Sequence, residues 1–136
     1  MDIESTGLDF KTDKYLSISI SWAAEDKTLP ELVNLVSSGG DLEVNHLIIP
    51  YQHEEACWTE KELALIRLFL QKVFKNKKAI KILANCKFDL KFNLREGIEA
   101  ENVWDIQTLA HLINENEPKG LHALTRKYFP RELEVL

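Results

Sequence analysis

The chain has 136 residues, room for one domain with a substantial core and too few for two. Hydrophobic residues make up 45% and charged residues 29%, which excludes a disordered or fibrous chain, and no apolar run approaches the roughly 18 residues of a membrane span. Lys and Arg number 17 against 22 Asp and Glu, a net charge of −5; this excludes a protein that coats duplex DNA through basic excess, but not an enzyme that holds cations with carboxylates.

The acidic start, Met1-Asp2-Ile3-Glu4, is no secretory signal. Cys57 and Cys86 stand outside any CxxC pair and read as reduced thiols, so the expected location is the cytoplasm and neither a disulfide framework nor a structural zinc site is expected. After a polar loop, Asp9–Lys14, the segment Tyr15–Trp22 alternates Leu16, Ile18, Ile20 and Trp22 against Ser17, Ser19 and Ser21. That period of two predicts a half-buried strand. Leu29–Glu43 holds a short helical piece, with Pro30 in its first turn and Gly39-Gly40 after its end, and reads as a surface insertion. Val44–Pro50 is a second apolar strand ended by proline.

Thr59-Glu60-Lys61-Glu62 is a capping box, followed by Leu63, Ile66, Leu70 and Val73 at helical spacing; a helix is predicted over about Thr59–Asn76. Lys77–Asn85 reads as a strand, Lys87–Glu96 as a helix stopped at Gly97, and Val103–Asp105 as a short strand. Asp105 is placed to cap a helix over Ile106–Asn114, and Leu121–Tyr128 is a last helix before Pro130. Strands alternating with helices predict an α/β fold.

Two segments carry chemistry. On a strand, residues two apart share a face, so Asp2 and Glu4 project side by side while Ile3 points inward. Paired carboxylates repel unless a cation lies between them, and hard divalent ions take such oxygen ligands; the same pair also reads as a solvated strand edge. Asp89, in Asn85-Cys86-Lys87-Phe88-Asp89, follows a strand at a strand-to-helix junction, where functional groups gather in open α/β sheets. It reads equally as an acid favourable to a helix N-terminus, with Asn85 as a turn residue and Phe88 and Phe92 as a buried helical pair.

Taken in order, these strings resemble the 3′–5′ proofreading exonuclease domain of family A DNA polymerases, a DEDD exonuclease of the RNase H-like fold. DIESTGLD is similar to the family's first motif, NCKFDLKFNLREGI to its second, and IIPYQHE and VWDIQTLAHLINENEPKGLHALTRKYF to the intervening and following stretches. The resemblance spans the whole chain and implies a mixed sheet flanked by helices in three layers, α/β/α, forming one partial exonuclease domain over residues 1–136.

It also implies residue roles. Asp2, Glu4 and Asp89 would hold two ions, Mg²⁺ or Mn²⁺, for hydrolysis of a phosphodiester. Thr6, Leu8, Asn85 and Phe88 would touch the terminal nucleotide of a single-stranded or frayed DNA 3′ end, although Leu8 and Phe88 read equally as core. The implied setting is proofreading beside a polymerase domain in the parent chain, encoded by a bacterium or phage, with no membrane.

The family's third motif, Tyr-x-x-x-Asp, has no match here. Tyr51–Glu55 falls too early in the order, and Tyr128–Glu132 contains Pro130. With Asp2 directly after Met1 as well, both ends read as clipped, and the chain alone is expected to be a weak nuclease. The alternatives are a catalytically inactive nucleic-acid-binding fragment of the same fold, an RNA-directed DEDD exonuclease, and an ordinary α/β structural domain. His46, His53, His111 and His122 are assigned to surface or helix packing, and Lys72, Lys75, Lys77, Lys78 and Lys81 to a solvated helix end or to phosphate contacts. Cys86 reads as a small buried side chain.

Overall fold

A nine-residue strand, β2 (Tyr15–Ala23), is the centre of a three-stranded antiparallel sheet in the computed structural model, which describes residues 1–129. On one side it pairs with β1 (Asp2–Ser5) and on the other with β3 (Val44–Pro50). The register aligns Ile3, Ile18 and Ile49 across the three strands, and all three are buried. The next positions align Asp2, Ser19 and Ile48 on the opposite face, where Ile48 is 69% exposed. The isoleucine row is therefore the core face of the sheet, and Asp2 and Glu4 stand on the other.

The strict alternation expected along β2 is broken by a bulge. Glu4 faces Ser17 but Ser5 faces Tyr15, which leaves Leu16 as the extra residue. The bulge turns Tyr15 into the core, fully buried, while Trp22 at the far end of the strand is 48% exposed. The tyrosine, not the tryptophan, is the aromatic that the strand contributes to packing. Between β2 and β3, α1 (Leu29–Ser37) has no buried residue, as a surface insertion should.

The capped helix is α2 (Glu60–Lys75). The Thr59 hydroxyl accepts the Glu62 N–H, and the Glu62 carboxylate accepts the Thr59 N–H at 2.7 Å. Its buried stripe, Leu70 and Phe74, lies against Ile3, Ile18, Ile49 and Phe92, with each such side chain contributing ~1.5–3 kcal/mol on burial. The lysine-rich segment after α2 narrows to a short strand, β4 (Lys81–Leu83), parallel to β5 (Val103–Asp105). Lys81 is itself buried, and its ammonium donates to the carbonyls of Asn76 and Ala79 just beyond the end of α2. That assigns it to holding a helix end rather than to a phosphate.

Between the two parallel strands runs α3 (Cys86–Arg95), closed by Gly97 at φ 76°, a left-handed position where glycine carries no Cβ penalty. After β5 come α4 (Ile106–Ile113), capped by the Asp105 carboxylate on the Gln107 N–H, and α5 (Leu121–Tyr128). The two sheets are separate, and the Met1 amino group, just ahead of β1, donates to the Ile82 carbonyl of β4 at 3.3 Å. The described residues thus form a mixed α/β fold of five helices with antiparallel and parallel strands, consistent with the RNase H-like class. Among them no helix is long and apolar enough to cross a membrane.

Candidate active site

The open edge of β1 is where the acidic residues meet. In an antiparallel ladder alternate N–H groups point away from the partner strand, and the Ile3 N–H points outward from β2. It is taken by Asp89, whose Oδ1 lies 3.2 Å away and comes from the first turn of α3. This single bond carries the strand–helix junction onto the Asp-x-Glu strand.

Asp89 is buried, and its carboxyl is pushed up to about 6. Burial is the first cause and the charge of Asp2 the second. The N–H groups of Asp89 and Ile3 and the positive amino terminus pull the other way. Asp2 and Glu4 themselves are exposed. Asp2 and Asp89 are therefore electrostatic neighbours, while among the described residues no three His, Cys, Asp or Glu side chains are gathered as a metal-binding group. An all-oxygen pair under mutual repulsion suits a hard divalent cation, which would relieve that repulsion; a closed three-carboxylate set is not formed.

The remaining candidates lie around the loop between β1 and β2. Asp13 organises this loop: its carboxylate accepts the Asp9 N–H at 2.8 Å and the Thr6 hydroxyl at 3.2 Å. The Thr6 hydroxyl in turn accepts the Lys14 N–H at 2.9 Å, so it is engaged in closing the loop. A Cβ at Gly7 would come within 2.5 Å of an Asp13 carboxylate oxygen, so a larger residue there would push Asp13 off its loop partners. Leu8 projects from the loop with 86% of its surface exposed, and the reading of Leu8 as core packing falls away.

Leu8 and Phe10 face Asn85 and Phe88 across a cleft of about 200 Å³. Asn85 is the residue before α3 and adopts φ 59°, a left-handed conformation that asparagine tolerates better than most residues. Phe88 is half-buried and tilts against the fully buried Phe92, with ring centroids 5.1 Å apart. It belongs to both the core and the cleft wall. Thus Leu8, Asn85 and Phe88 share one cleft, Asp2 and Asp89 share the β1 edge beside it, and Thr6 supports the loop.

Three further side chains support this arrangement without belonging to the motifs. Arg95, at the end of α3, donates through Nη1 to the carbonyls of Phe10 and Asp13 at 2.8 and 2.6 Å and fastens the loop to the helix. Asp105 accepts the N–H groups of Asn85 at 3.1 Å, Cys86 at 3.0 Å and Gln107 at 2.9 Å, joining the starts of α3 and α4. Burial works to raise its pKa, and those N–H groups outweigh burial and hold it below the usual carboxylate value. Tyr15, buried beside Asp89, donates to Asn93 Oδ1 at 2.8 Å. The capping signal at Asp105 was the only one of the three visible in the residue pattern.

The early Tyr51–Glu55 string is engaged elsewhere: the Tyr51 hydroxyl donates to Glu96 at 2.8 Å and accepts from Arg67 at 2.7 Å. Of the later string, residues 130–132 lie outside the described residues. Cys86 is half-buried, and burial pushes its thiol pKa up, which suits an inert side chain.

A search of curated proteins returns no match. A protein-family model described as 3′–5′ exonuclease, of the DNA polymerase A type, matches residues 1–136, the whole chain. The chain belongs to that family.

Proposed function

We propose that residues 1–136 act as a metal-dependent 3′–5′ exonuclease domain that removes nucleotides from a single-stranded or frayed DNA 3′ end, in the proofreading role beside a polymerase domain. The observation that carries this reading is Asp89: a buried carboxylate brought by α3 onto the Asp-x-Glu strand, bonded to Ile3 and repelled by Asp2. Family membership supplies the reaction class.

In this reading Asp2, Glu4 and Asp89 hold Mg²⁺ or Mn²⁺. Bound there, divalent ions supply charge stabilisation at the attacking and leaving oxygens of an in-line phosphodiester displacement. The chain's own residues do the rest. Leu8 and Phe88 flank the terminal nucleotide with apolar surface, and Asn85, exposed at the head of α3, hydrogen-bonds its sugar–phosphate. Asp13 and Arg95 keep the loop bearing Leu8 in place. A terminal base that is mispaired or already single-stranded costs least to bring out of a stack, which favours proofreading over attack on intact duplex.

The test is shortening of a 5′-labelled single-stranded DNA in Mg²⁺ or Mn²⁺. Slow stepwise loss from the 3′ end, weak as expected of a chain without the third motif and abolished by Asp89→Ala and Asp2→Ala, is the expected result. Cleavage that survives Asp89→Ala would overturn the assignment. A second reading, a domain that binds nucleic acid without cleaving it, is favoured by one observation: the described residues form no three-carboxylate group. It predicts strand binding without shortening.

A further inference from the structure

Glu96 follows the last residue of α3, and its N–H is shared between the carbonyls of Phe92 and Asn93, so its backbone is fixed by the helix end. Its side chain is only 10% exposed, and both carboxylate oxygens are engaged. Oε1 accepts the Arg95 Nε–H at 3.2 Å. Oε2 accepts the Tyr51 hydroxyl at 2.8 Å and the Arg67 Nε–H at 3.4 Å. Burial first, and the bond to Glu96 second, push the Tyr51 hydroxyl up to about 12, so it remains a donor at neutral pH. One carboxylate thus lies between two guanidiniums, Arg67 on α2 and Arg95 at the end of α3, and a tyrosine just past β3.

Arg95 carries the connection on to the loop between β1 and β2. Its Nη1 donates to the Phe10 and Asp13 carbonyls, and its Nη2 lies 3.4 Å from Gln52 Oε1, which also accepts the Tyr15 N–H at 2.9 Å. A guanidinium is a planar, rigid fork, so a partner that holds Nε also sets the direction of Nη1. Resting on the proposed function, we infer that Glu96 is a positioning residue for the terminal nucleotide: it aims Arg95 at the two loop carbonyls and so holds the loop that presents Leu8. Glu96 touches no reacting atom. It governs how well the strand end is held and not the rate of the displacement.

The experiment compares the full chain with Glu96→Gln, Arg95→Ala and the double variant, by amide exchange at Asp9–Lys14 and by shortening of a 5′-labelled single strand in Mn²⁺. An amide offers one acceptor oxygen, and its NH₂ would face either Arg95 or the Arg67–Tyr51 pair, donor against donor. Glu96→Gln is expected to speed exchange about tenfold at Thr12 and Asp13, whose N–H groups bond the Asp9 carbonyl. It is expected to raise KM about tenfold with kcat unchanged, as loss of binding common to ground and transition states does. In the Arg95→Ala background it adds nothing further, because it acts through Arg95. Glu96→Asp, which keeps two acceptor oxygens, recovers part of the loss. Glu99→Gln, at an exposed carboxylate paired with Lys75, is the control and keeps the wild-type values.

Wild-type exchange and KM in Glu96→Gln would overturn the inference, as would a fall in kcat at unchanged KM. Losses that add to those of Arg95→Ala would overturn it as well, by showing that Glu96 only joins α2 to α3. Melting temperatures identify a variant that fails to fold; Glu96→Asp then takes the place of Glu96→Gln, with the same direction and the same lack of additivity expected. If the wild-type chain shortens no strand, the proposed function fails separately, and the exchange measurement alone decides whether Glu96 holds the loop.

Discussion

The Oδ1 atom of Asp89 accepts the backbone N–H of Ile3 at 3.2 Å, across 86 residues of sequence. This bond places a buried carboxylate at the strand that carries Asp2 and Glu4, and it does so at an energetic cost. Folding removes the Asp89 charge from water and sets it near Asp2, so its pKa rises from 3.8 to about 6.

That cost has a pH signature. An acid whose folded pKa is raised binds more protons folded than unfolded between the two values, so stability falls as pH rises from about 4 to about 6 and then stays low. A shift of roughly two units corresponds to at most about 3 kcal/mol. Asp89→Asn keeps an oxygen for the Ile3 N–H and removes the charge. We expect it to stabilise the metal-free chain at pH 7.5 by about 1–3 kcal/mol and to flatten the pH dependence, while abolishing nuclease activity. Urea unfolding at pH 4 and pH 7.5 measures this; equal pH dependence in both proteins would show that Asp89 is not desolvated.

Arg95 anchors the loop that bears Leu8. Its guanidinium satisfies the carbonyls of Phe10 and Asp13 and lies 5.3 Å over the Phe92 ring. Arg95→Ala leaves both carbonyls without this partner and is expected to cost about 2 kcal/mol, with faster amide exchange at Asp9–Lys14. Arg95→Lys, which lacks the planar fork, should recover only part of the loss. Unchanged exchange in Arg95→Ala would mean that Asp13 alone holds the loop.

Much of this arrangement is legible in the residues and some is not, for physical reasons. The Thr59–Glu62 box and the Asp105 cap are local: a side chain satisfies N–H groups two or three residues away, so spacing reveals them. The Asp-x-Glu strand and the Asp89 turn are legible because period-two and helix-start patterns place their faces. Their meeting is not, since Ile3–Asp89 is a contact between distant segments that only the resemblance anticipated. The bulge that buries Tyr15 is likewise hidden, because one inserted residue shifts the phase of the strand without leaving a turn signal. Arg95 looks like an ordinary helix-end cation, and its partners are carbonyls, which every residue has. The second role of Asp105, holding the start of α3, depends on β4 and β5 lying side by side.

Asn93 is fully buried, and among the described residues its Nδ2 has no hydrogen-bond partner, while its Oδ1 accepts from Tyr15. Tyr15→Phe orphans the oxygen as well and is expected to destabilise by about 1–2 kcal/mol. Asn93→Leu placed on top of it removes both orphaned groups, so the double variant should be more stable than Tyr15→Phe alone. Additive losses in a double-mutant cycle would show that the pair is not coupled.

The claim on which the rest stands is that Asp2, Glu4 and Asp89 share divalent cations. Calorimetric titration of the chain with Mn²⁺ tests it most directly. The account predicts saturable binding that disappears in Asp2→Ala and in Asp89→Asn. Heat identical in wild type and both variants, or no saturable heat at all, would contradict it.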